Sequence, residues 1–207
     1  KKTRMVAPEH DIADWRRRIF ALYAEVRAAS EPLAAHEIWR AGRESLFRHH
    51  PQSPLVDDPA RTSWSFRAYP YNRNLRLIVA LETVKDGETF ATKVGADGTL
   101  HLRPFARTVG LRNSLGGELT LYWIEGYGGG IFLPFADATT GDETYGGGRY
   151  LLDTIKGADL GGSDGALVAD FNFSYQPSCS YSDRWTCPLT TAENRFSVAV
   201  RAGERVG

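Results

Sequence analysis

A change of hydrophobic period near Pro54 constrains this chain more than any other feature. Before it, apolar residues recur at helical spacing: Ile12, Trp15, Ile19, Leu22, Tyr23 and Val26 mark an amphipathic helix over residues 11–29. Ser30 reads as the N-cap of a second helix, with Glu31 and Pro32 in its first turn, running to about Arg48. His49, His50 and Pro51 end it, with positive charge suited to the helix dipole. After Pro54 the period falls to two. Leu75, Leu77, Val79 and Leu81 alternate, as do Phe90, Thr92 and Val94, and Asp97-Gly98 reads as a hairpin turn before Leu100 and Leu102. Leu119–Trp123, Ile131–Leu133, Tyr150–Ile155, Ala166–Phe173 and Phe196–Val200 read as further strands. Short strands joined by Gly-rich turns predict a mostly β (α+β) fold: an antiparallel β-barrel or sandwich with two N-terminal α-helices. Residues 1–35 read as a helical extension and residues 36–207 as a single β-rich domain.

With 207 residues, 42% of them hydrophobic, the chain can bury a sizeable core, which excludes global disorder. The formal net charge is zero, which argues against nucleic-acid or membrane-surface binding driven by bulk electrostatics. That zero hides an asymmetry: residues 1–110 carry 18 Lys+Arg against 13 Asp+Glu, and residues 111–207 carry 7 against 12. Two oppositely charged faces account for it more simply than a basic ligand arm. No apolar run approaches the length of a membrane-spanning helix, and KKTRMVAPEH lacks the apolar core of a signal peptide, so a cytoplasmic location is expected.

Several motif matches fail on context. Gly161-Gly162-Ser163-Asp164-Gly165 fits G-x-S-x-G, but the nucleophile elbow needs a strand before it and a helix after it. All five histidines also precede it, so Ser163 reads as a hairpin residue. Gly128–Gly130 and Gly146–Gly148 lack the frame of a phosphate loop and read as tight turns. His10, His36, His49, His50 and His101 show no zinc spacing, and no metal or other cofactor is predicted. Cys179 and Cys187 do not form CxxC; the sequence leaves open whether they are bridged or reduced.

The stretch from Phe135 to Glu204 holds the candidate site, because a plain core does not need so many polar and turn-forming residues. On the strand expected at 166–173, Asp170 and Asn172 share one face, with Tyr175 close behind. A carboxylate near an Arg or Tyr and shielded from water can serve as acid, base or anchor. The competing interpretation is that these side chains staple loops to backbone groups.

The run Asp137-Ala-Thr-Thr-Gly141, Glu143-Thr-Tyr145-Gly-Gly-Gly-Arg149-Tyr150, Asp170-Phe-Asn172, Tyr175, Pro177-Ser-Cys179, Cys187-Pro188, Glu193-Asn194 and Ala202-Gly203-Glu204 resembles the bacterial domain-of-unknown-function family 1684. Trp39, Arg43 and Ser53-Pro54-Leu55 extend the likeness, which covers roughly residues 36–205. Gln176, Ser180 and Thr190-Thr191 depart from the family pattern. The resemblance supplies no catalytic residues; it implies that the late polar cluster is a family feature.

The sequence reading is therefore a small-molecule enzyme or binding domain. Asp170, Glu193 and Tyr145 are the candidate catalytic residues, and Arg149, Asn172, Tyr175 and Asn194 the candidate substrate contacts. Arg149 would anchor an anionic group. A small-molecule ligand and a homodimer are the expected partners. The alternative is a non-catalytic interaction module in which the same residues are staples and Trp15, Trp39 and the first helix form the interface. A flavin- or haem-binding barrel is a third class that no motif demands.

Overall fold

The computed structural model of the chain describes residues 7–95 and 98–206. Lys1–Val6, part of the segment read for a signal peptide, and Asp97 of the expected Asp97-Gly98 turn lie outside the described residues. The chain divides into two compact units, Lys1–Phe66 and Arg67–Gly207, whereas the sequence reading began the β-rich domain at residue 36.

The first unit is built on two helices, α1 (Pro8–Ala28) and α2 (Pro32–His49). Both start at a proline, whose fixed φ suits the first helical position and whose missing N–H costs nothing there. The cap of α2 is Glu31, without a side-chain hydrogen bond, and not Ser30 as expected, because Pro32 sets the first turn one residue later. The apolar stripe of α1 buries Ile19, Leu22, Tyr23 and Val26, and α2 buries Ala35, Trp39, Leu46 and Phe47. Trp39 is fully buried, with its Nε1–H donating to the Tyr23 hydroxyl at 3.1 Å. The Arg43 guanidinium sits 4.9 Å from the Phe47 ring centre, so this buried cation rests on an aromatic face.

The second unit is an antiparallel sheet of eight strands: β1 (Arg76–Thr83), β2 (Phe90–Lys93), β3 (Thr99–Val109), β4 (Thr120–Ile124), β5 (Gly130–Phe135), β6 (Arg149–Asp153), β7 (Gly162–Ser163) and β8 (Ala166–Asp170). Their order is β6-β5-β4-β3-β1-β8-β7, with β2 pairing the first half of β3. After β8 the chain makes a 3-10 turn at Phe171–Phe173, and Tyr175 then pairs with Tyr150 of β6 through backbone bonds of 2.9 and 3.0 Å. That bridge carries the continuation of β8 to the far strand of the order, so the sheet curls back on itself. The mostly β, α+β class expected from the sequence is the one observed.

Leu102, Tyr122, Ile124, Phe132 and Tyr150 form one buried cluster, with Leu100, Ile155, Tyr175 and Cys187 packed against it. Phe135, Phe171 and Phe196 form an aromatic knot, with centroid distances of 5.2–6.1 Å. Ser163 does sit in a hairpin: Asp164 and Gly165 both have positive φ, 53° and 78°, the signature of a two-residue type I′ turn.

Three strand expectations need correction. The strand expected over 166–173 stops at Asp170, and that over 150–155 stops at Asp153, each followed by a 3-10 turn. Phe196–Val200 is not a strand. Its neighbour Arg195 makes a single parallel bridge to Ala136, and the Val200 N–H turns instead to the Asp137 carboxylate at 2.9 Å. Phe196 and Val200 are buried, but Val198 is 40% exposed.

Candidate functional site

The late polar residues separate into two groups with different chemistry. The first is saturated. Arg149, at the start of β6, is 1% exposed, and its guanidinium donates to the carbonyls of Val200 (2.8 Å), Ala202 and Glu204 (3.2 Å) and to Asp137 Oδ2 (2.9 Å). Asp137 is equally buried and also accepts from Thr139 N–H and Val200 N–H, both at 2.9 Å. Every one of these partners belongs to the protein, so the pair ties the C-terminal segment to β6. Asn194 does the same elsewhere. Its Nδ2 donates to the Thr120 and Pro134 carbonyls at 2.8 Å, and its Oδ1 accepts from Thr120 N–H at 2.7 Å.

Asp170 and Asn172 do lie side by side, with Asn172 Nδ2 2.7 Å from Asp170 Oδ1, but not because they alternate on a strand. Asp170 caps the 3-10 turn by accepting the Asn172 backbone N–H, an Asx-type arrangement. Asn172 then clamps Asn72, accepting its N–H at 2.8 Å and donating to its carbonyl at 2.9 Å. Burial pushes the Asp170 carboxyl above its usual value, although the Asn172 hydrogen bonds and the Arg76 charge oppose that. Glu193 is exposed and accepts from the Tyr122 hydroxyl.

The second group is half-buried and chemically soft. Tyr145 follows the tight loop closed by Asp137 and Thr139, and its N–H donates to Gln176 Oε1 at 3.0 Å. Gln176 in turn donates its backbone N–H to Glu204 at 2.9 Å, which fixes that stretch against the C-terminus. The Tyr145 hydroxyl is hydrogen-bonded to Cys179 Sγ at 3.6 Å. Cys179 lies on a 3-10 turn, Ser178–Ser180, that directly follows Pro177. Cys187 packs on the Leu102–Tyr150 cluster, and both thiols are free. Tyr175 borders the same cluster, its ring meeting Tyr150 edge-on at 5.8 Å. The segment 188–190 closes over Gly147 and Gly148, with Thr190 N–H donating to the Gly147 carbonyl at 3.2 Å. Gly148 has φ +88°, and a Cβ there would run into Thr190 and come 2.7 Å from the Phe135 carbonyl, so only glycine fits.

The hydrogen bond from Cys187 and that from Tyr145 lower the Cys179 thiol to about 6 despite its partial burial. Cys187 is pushed up because its proton is held on that bond and because it is buried. Tyr145 rises to about 12, through its bond to Cys179 and through burial. The arrangement favours the thiolate form at Cys179, with the Tyr145 hydroxyl beside it.

Of the seven residues singled out from the sequence, the fold brings Tyr145 to Cys179, while Tyr175 packs on the same hydrophobic cluster as Cys187. It sets Arg149, Asn172 and Asn194 into the frame, Asp170 under the 3-10 turn, and Glu193 on the surface beside Tyr122. Sequence reasoning weighed the cysteines as a disulfide or as reduced thiols, and did not place Cys179 beside Tyr145. Among the described residues, no three His, Cys, Asp or Glu side chains converge as a metal site. No helix among them is long and apolar enough to cross a membrane.

No curated protein matches the chain. A solution NMR structure of an uncharacterised protein from Haloarcula marismortui is similar to it, with 28% identity, a TM-score of 0.57, and coverage of 81% of this chain and 90% of that one. The family described as "Protein of unknown function (DUF1684)" matches residues 64–205, which include both polar groups and the whole curled sheet, and the chain belongs to that family.

Proposed function

We propose that the chain is a small-molecule enzyme or binding domain that acts through the Cys179 thiolate, with Tyr145 and Tyr175 as ligand contacts. The observation that carries this reading is the half-buried Cys179 sulfur in hydrogen-bond contact with the Tyr145 hydroxyl at 3.6 Å. A thiolate held this way is a soft nucleophile, and the Tyr145 hydroxyl can donate a proton to a leaving atom. Asp170 stands apart from the thiols in this reading, capping the 3-10 turn, and Glu193 acts only through its contact with Tyr122. Arg149, Asn172 and Asn194 support the site by fixing the segments that carry it.

The test is alkylation by a limiting amount of iodoacetamide at neutral pH, mapped by peptide mass spectrometry. Label is expected on Cys179 well ahead of Cys187, and Cys179→Ser should remove the fast phase. Equal, slow labelling of the two cysteines would overturn the reading.

A further inference from the structure

We infer that a recess beside Trp123, on the sheet, binds a small aryl carboxylate: a planar ring bearing one acid group. The recess is formed by β1, β3 and β4 and shares no residue with the Tyr145–Cys179 corner. It encloses about 540 Å³, and its walls include Leu81, Val84, Arg103, Phe105 and Trp123. Small-molecule sites are typically roughly 300–1,000 Å³. Strand register builds it. Arg103 lies directly across from Trp123 in the β3–β4 pairing, so the two share one face. Tyr122, the preceding residue, belongs to the buried Leu102–Tyr150 cluster, so Trp123 is on the face turned away from that cluster. The register shifts between Pro104 and Ala106, and a bulge of this kind re-aims side chains. Phe105 lies at the shift, and its ring meets that of Trp123 edge-on at 6.3 Å. Val84 N–H donates to the Phe105 carbonyl and Leu81 N–H to the Gly165 carbonyl, both at 3.0 Å, which ties β1 and the β7–β8 turn to the recess.

The lining selects the ligand. Trp123 and Phe105 are both only partly buried, so each keeps apolar ring surface that a flat aromatic molecule can cover. The indole is held from behind: a Cβ at Gly129 would come 2.4 Å from the Trp123 ring, so only glycine lets the loop lie that close. Arg103 is the one charged residue of the lining. Its Nε–H donates to Glu125 Oε1 at 2.7 Å, and it has no other partner among the described residues. Glu125 therefore grips the guanidinium by its Nε edge and leaves both terminal nitrogens open. Those two nitrogens offer a carboxylate an end-on, two-bond seat. A ring without charge would leave that seat unused, and a cationic ring would be repelled by it.

Titration of the nitrogen-15-labelled full chain with sodium cinnamate, followed by NMR, tests this. The backbone signals of Leu81, Phe105 and Trp123 and the Trp123 indole N–H are expected to move together and to saturate. Arg103→Gln keeps a polar side chain at a partly exposed position and should raise the dissociation constant for cinnamate roughly fivefold. Cinnamamide, the same ring without the charge, should bind the native chain and the variant alike. Three results would each overturn the inference: no saturable shift at millimolar cinnamate, shifts centred on Tyr145 and Cys179 instead of Trp123, or equal affinity of the native and Arg103→Gln chains for cinnamate. The second of these would leave the thiolate reading standing and move the ligand to that corner.

Discussion

The Asp137–Arg149 staple and the Tyr145–Cys179 corner adjoin in the chain, Tyr145 lying between Asp137 and Arg149, yet they are opposites in chemistry. In the staple, a buried carboxylate and a buried guanidinium are surrounded by backbone donors and acceptors. In the corner, the groups are half-buried and bonded mainly to one another. Saturated, buried polar groups hold a structure together; they have no valence left for a ligand. Soft groups at partial exposure add little to stability and are free to react. A cluster of polar residues in a sequence is therefore not one thing, and burial together with partner count divides it.

The largest effect that sharpens the contrast is expected at the staple. Arg149→Met leaves Asp137 charged, buried and without its cation, a loss of roughly 3–5 kcal/mol of stability measured by urea denaturation. If thiol reactivity is lost in step with folding and not before, Arg149 is frame.

Asp170 gives the next largest effect. Asp170→Ala removes the acceptor of two Asn172 donors and should cost about 1–3 kcal/mol. Asp170→Asn keeps Oδ1 and should cost less. The sign with pH follows from the raised carboxyl. A folded pKa above the unfolded value of about 3.9 means that this group's stabilising contribution is complete below that value and is lost as pH rises through the folded pKa. The Asn variant should therefore lose less stability than the native chain between acid and neutral pH. A native-like slope would show that Asp170 is ionised without penalty.

The smallest effect on stability is expected at the corner. Cys179→Ser should change the unfolding free energy by no more than about 0.5 kcal/mol, as typical of a partly exposed substitution, while removing the fast thiol. A loss several times larger would place Cys179 with the staples and dissolve the distinction.

Much of the fold was legible in the sequence, and the reason is periodicity. Ile19, Leu22, Tyr23 and Val26 announce α1, and the alternation of Leu77, Val79 and Leu81 announces β1, because each stripe is a local pattern. Strand ends were not legible. Phe196 and Val200 look like alternate core positions, but the Val200 N–H answers to Asp137, a carboxylate 63 residues away in sequence. The side-by-side placement of Asp170 and Asn172 was foreseen for the wrong reason: an Asx-type turn brings them together, and residue alternation cannot reveal it. Arg149 resisted reading as a staple because its acceptors, at 200, 202 and 204, come together only when the chain end folds back. The thiol corner was hidden for a related reason. A spacing of eight is no motif, and the contact of Cys179 with Tyr145 joins residues 34 apart in sequence.

The most direct test of the central claim is the rate of Cys179 alkylation as a function of pH in the native chain. The hydrogen bonds from Cys187 and Tyr145 should place its half-maximal rate near the lowered thiol value of about 6. A midpoint at the ordinary thiol value of about 8.5 would mean that neither partner stabilises the thiolate, and would contradict the assignment of this corner as the reactive one.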